Sequence, residues 1–86
     1  MGLDGFELIV ATEKEFSIEI TDAEAETLLT VGDLHQLVMT KTNAELKGLD
    51  PTDAFNRISV ILQDFFCVPE AAITMEARFI RDLGLD

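Results

Sequence analysis

The groups with the most chemical potential in this chain are carboxylates. The stretch "LDGFELIVATEKEF" collects four of them: Asp4, Glu7, Glu13 and Glu15. Carboxylates can work as general acids or bases, ligate metals, or attract basic surfaces. The first two uses need company that the sequence withholds. There is one histidine, His35, and one cysteine, Cys67, so no paired His/Cys ligand spacing exists. The acids do not alternate as a calcium loop requires. No Gly-rich phosphate loop and no Ser/His/Asp grouping can be drawn. His35 reads as a surface or half-buried helix residue. Cys67, after two phenylalanines near a helix end, reads as a buried, inert thiol. Neither a catalytic residue nor a metal site is expected, and the chain is not read as an enzyme.

What remains is electrostatics. Seventeen acidic residues against six basic ones give a net charge of −11. That balance disfavours nucleic acid and anionic membranes and favours partners with basic patches. No apolar run approaches the ~20 residues of a membrane span. A lone cysteine makes no internal disulfide, which fits a reducing compartment, so a soluble, cytoplasmic protein is expected.

Several elements must position these groups, and 86 residues suffice for one small domain. Over 3–16, apolar residues at 3, 6 and 9/10 predict one apolar helical face. "SIEI" at 17–20 alternates like an extended connector. Thr21 and Asp22 offer cap chemistry for a short helix in "AEAETLL", and Thr30 with Asp33 for a helix in "VGDLHQLVMTKT". The polar 40–52 stretch, with Gly48 and Pro51, reads as a spacer. Asp50 or Thr52 can cap "AFNRISVILQDFFCV", which Pro69 stops. Residues 70–81 form a connector holding Ile73, Ala77, Phe79 and Ile80. The fold class is all-α with four main helices. The expected core is Leu8, Ile9, Phe16, Ala25, Leu28, Leu34, Ile58, Ile61, Leu62, Phe65 and Phe79.

"RDLGLD" at the end and "LDGFELIVATEKEF" at the start together resemble the signature of acyl carrier proteins. That family has DLG-x-D-S-L-D, then a helix of the form φ-E-L-φ-φ-x-x-E-x-E-F. Asp82, Leu83, Gly84 and Asp86 match the first part, and Leu3 and Asp4 the second. Glu7, Leu8, Glu13, Glu15 and Phe16 continue in register. "IEITDAEAETLLTVGDL" resembles the family's third helix and approach to the fourth. "FNRISVILQDFFCVPEAAITMEARFIRDLGLD" resembles its first helix and following loop. The order is rotated, with 1–38 matching helices II–IV, 39–54 a spacer, and 55–86 helix I and its loop. The resemblance implies a single acyl-carrier-like four-helix bundle over 1–86, circularly permuted or domain-swapped, the latter as a homodimer.

Further expectations follow from the resemblance. Family members carry 4′-phosphopantetheine on the serine of D-S-L-D, and acyl groups ride on its thiol. Gly2 stands at that position, flanked by Asp86, Leu3 and Asp4; it has no hydroxyl, so no arm is expected here. Ser17 and Ser59 lie in other contexts. The family's helix II faces partner enzymes, which assigns Glu7, Glu13 and Glu15 to recognition by acyl-transferring or synthase enzymes with basic patches. Lys14 departs from the usual acid. In the family an acyl chain can slip between helices II and III. The implied function is that of a relative of carriers of thioester-bound acyl groups in fatty acid or polyketide-type biosynthesis, unable to take the arm. The alternative is an armless acidic protein–protein interaction module.

Overall fold

A computed structural model describes residues 3–44 and 48–85. Four helices run in order: α1 (Leu3–Phe16), α2 (Asp22–Glu26), α3 (Val31–Ala44) and α4 (Pro51–Phe66). A single 3₁₀ turn, Glu70–Ala72, follows. Among the described residues there is no strand, only an isolated antiparallel bridge between Thr30 and Arg78. The chain is therefore all-α, as the sequence predicts. Both α1 and α3 pack against α4.

Local side-chain chemistry sets the helix starts. Thr21 Oγ1 accepts the Glu24 amide at 3.1 Å while the Glu24 carboxylate accepts the Thr21 amide at 3.0 Å, a reciprocal capping box. Thr30 and Asp33 repeat the arrangement before α3, with Asp33 also accepting the Leu29 amide. Asp50 accepts the amides of Thr52 and Asp53, and Pro51 fills the first turn of α4. Such caps are each worth about 1 kcal/mol. α2 is shorter than "AEAETLL" suggests. The Thr27 hydroxyl donates to Glu24 O at 2.7 Å and Asp33 takes up the next amides, so the chain turns before Leu28.

α3, conversely, runs past Thr40, where the spacer was expected to begin. The buried Thr42 hydroxyl donates to Val38 O at 2.9 Å, so its polarity is satisfied within the helix. Lys41 anchors the same turn by pairing with Glu24 at 2.7 Å. Residues 45–47 of the expected spacer lie outside the described residues.

The core holds Leu8, Ile9, Phe16, Leu28, Leu34, Ile58, Ile61, Leu62 and Phe79, with Ala25 half-buried. Phe65 departs from expectation and is 67% exposed. Phe65 stands in the last turn of α4, after which Cys67 takes a left-handed conformation (φ 55°) and Val68 turns back into the core. The same turn puts Cys67 at the surface, so the thiol is exposed rather than buried. In α1 the buried stripe is Gly5, Leu8, Ile9, Thr12 and Phe16. Leu3 and Phe6, assigned by spacing to the apolar face, point to solvent at 69% and 65% exposure. Spacing alone could not separate two apolar stripes on one helix.

The segment after α4 is more than a connector. Ile73, Ala77, Phe79 and Leu85 are buried in the core. Its carbonyls satisfy the start of α3: Val31 donates to Ala77 O at 3.0 Å and Gly32 to Met75 O at 2.8 Å. Phe79 donates in turn to Leu29 O at 3.0 Å. Approach is so close at Gly32 that a Cβ there would sit 2.9 Å from Met75 O. The C-terminal segment is thus latched to the α2–α3 junction through the backbone.

Candidate functional site

Helix α1 carries most of the residues singled out from sequence, and the structure distributes them over different sides. Glu7 is exposed beside exposed Leu3 and Phe6, and it forms no ion pair among the described residues. Glu13 faces the α1–α2 connector, where its Oε2 accepts the Ile20 amide at 2.9 Å. Glu15 turns to α4 and pairs with Arg57 at 2.9 Å. Arg57 also lies 5.1 Å from the centroid of the Phe16 ring, so this group ties the end of α1 to α4. Asp4 is half-buried in the first turn, where a carboxylate complements the helix dipole. Gly2 and Asp86 lie outside the described residues.

Of the three acids expected to meet a partner, two therefore have internal work. Glu13 fixes the connector and Glu15 fixes a helix pair, whereas Glu7 is exposed and has no ion pair among the described residues. The spacing places Leu3 and Phe6 on the apolar face of α1, and the resemblance sets Leu3 beside Gly2; in the structure Leu3 and Phe6 stand at the surface next to Glu7. Leu3 and Phe6 are three apart and Glu7 lies four after Leu3, so all three share the outward side of α1.

Next to that surface α1 and α2 enclose a cleft of about 280 Å³. Phe6, Ile9, Val10, Ile20 and Ala25 give it apolar walls, and Glu13, Asp22 and Glu26 put carboxylates around it. A second cleft, of about 340 Å³, lies between Leu28–Leu29 and the turn at 78–81. Leu28, Leu29, Phe79 and Ile80 line it together with Arg78, Arg81 and Glu26. Glu26 is common to both.

Glu24, bonded to Lys41 and to the Thr21 amide, is held below its ordinary pKa. His35 is half-buried and its Nε2 lies 2.8 Å from Pro51 O, with its ring edge-on to Phe55. Among the described residues no group of three or more His, Cys, Asp or Glu is placed to hold a metal ion. No described helix is long and apolar enough to cross a membrane.

No family model matches the chain, and no solved structure matches it.

Proposed function

We propose that this chain is a rearranged carrier-type domain that docks basic acyl-transferring enzymes through α1 and carries no prosthetic arm. The observation that carries the reading is the outward side of α1. There Leu3, Phe6 and Glu7 combine apolar contact area with an exposed carboxylate, beside an apolar cleft against α2. Those residues belong to the stretch that resembles the carrier signature. The helix order supports it too: α1, α2, α3 and α4 with its following segment parallel the family's helices II, III, IV and I with its loop. The domain would then be a circular permutation, or one half of an exchanged pair.

The arm itself does not fit this sequence. Gly2 has no hydroxyl to take a phosphodiester, and the hydroxyl within α1, on Thr12, is buried and donates to Leu8 O at 2.8 Å.

Incubating the protein with a phosphopantetheinyl transferase and coenzyme A tests both halves of the reading by intact mass. The parent chain gains nothing, whereas Gly2→Ser gains the mass of one arm. Adding Glu7→Lys to Gly2→Ser slows the gain severalfold and flattens its salt dependence. A folded Gly2→Ser protein that is never modified overturns the carrier reading.

A further inference from the structure

The two clefts have similar size and opposite electrical character, and the carrier reading uses only one of them. Around the α1–α2 cleft the charged residues are Glu13, Asp22 and Glu26, all acidic. Around the second are Arg78 and Arg81, with Glu26 on the shared wall. The chain has only six basic residues against seventeen acids, so two arginines bordering one cavity are a marked local reversal.

That cavity is also held in shape. The Thr30–Arg78 bridge and the Phe79-to-Leu29 hydrogen bond fix its two sides to each other. The turn carrying the arginines is closed by Asp82 and Leu83 amides donating to Arg78 O, at 2.9 and 3.0 Å. Asp82 Oδ2 accepts the Arg78 amide at 2.8 Å and lies 4.0 Å from its guanidinium, so part of that charge is already answered. Arg81 is exposed and forms no ion pair among the described residues. Leu29 and Ile80 stand open to solvent at 66% and 62%. About 340 Å³ is at the lower end of the ~300–1,000 Å³ range of small-molecule sites.

We propose that the cleft between Leu29 and the 78–81 turn binds a small amphipathic carboxylate, with its chain against the exposed side chains of Leu29 and Ile80 and its head at Arg81. Apolar walls take the chain out of water, while a cation at the mouth selects the headgroup. The neighbouring cleft repels the same ligand because its rim is acidic throughout. This inference does not depend on the carrier reading.

Octanoate is the probe, with octan-1-ol and octylammonium as neutral and cationic comparisons. Octanoate shifts the amide resonances of Leu29, Ile80 and Arg81, binds more tightly than octan-1-ol, and weakens as salt rises. Arg81→Gln weakens it about threefold, a factor typical of one exposed ion pair, and Arg81→Lys retains it. Shifts centred on Ile9 and Ala25 overturn the proposal, because they place the ligand in the α1–α2 cleft. So does equal binding of octylammonium, or an Arg81→Gln protein that binds octanoate unchanged.

Discussion

The α1–α2 cleft and the Leu29–Arg81 cleft share a wall at Glu26 and are built by different means. The first lies between two helices that are consecutive in the chain, and side chains shape it. Buried Ile18 and Ile20 and a carboxylate contact, Glu13 to the Ile20 amide, fix how α1 and α2 meet, with a main-chain bond from Ile18 to Glu13 O beside them. The second joins segments far apart in sequence, and the backbone shapes it through the hydrogen bonds that join 73–79 to the start of α3. A cleft fixed by side chains can be retuned by substitution. One fixed by main-chain bonds persists until the latch itself fails.

That contrast can be broken most severely at Phe79. It is 1% exposed and anchors the latched segment, so Phe79→Ala is expected to cost about 3–5 kcal/mol in urea unfolding. Most of the stability of a domain this small would go with it. A loss below 1 kcal/mol would mean that the segment is not part of the cooperative core.

Gly32→Ala is the next largest. The new methyl meets Met75 O and forces the segment off α3, at an expected cost of about 1–3 kcal/mol. Amide exchange should then quicken at Gly32 and Phe79 while Ile20 keeps its protection. Equal loosening at both places would show that the two clefts are mechanically one.

The smallest effect sharpens the comparison from the α2 side. Glu24 is held below its ordinary value of 4.5 by Lys41 first and by the Thr21 amide second. A carboxylate lowered on folding adds stability above its unfolded pKa and loses it as pH falls through the folded one. Glu24→Gln should therefore lower the melting temperature slightly near neutral pH, with the gap to the parent closing as pH drops past 4.5. A gap that persists in acid would place the effect in the lost capping geometry instead.

The parts of this architecture written in local chemistry were legible in the sequence. Thr21, Thr30, Asp33 and Asp50 announce helix starts because capping needs only neighbours a few residues away. The alternation of Ile18 and Ile20 with Ser17 and Glu19 likewise became buried and exposed positions. What could not be read depends on distant partners. Phe65 continues an apolar repeat, yet it falls in the last turn of α4, where it stands exposed. Leu29 and Ile80 lie far apart in sequence, and only the bridge between Thr30 and Arg78 brings them together at the surface. Glu13 and Glu15 are spaced like free surface acids, and only the positions of Ile20 and Arg57 show that they are engaged. The sequence shows that α1 is rich in acids, but not which of them bond within the fold.

Cys67 has a practical consequence. It is the chain's single sulfhydryl, it stands on the surface, and it sits where α4 ends. A maleimide reagent would place one reporter dye per molecule without engineering. Storage in air without a reductant would join molecules in pairs through that atom, producing a covalent dimer unrelated to any helix exchange. Size measurements on this protein accordingly have meaning only in the presence of a reductant.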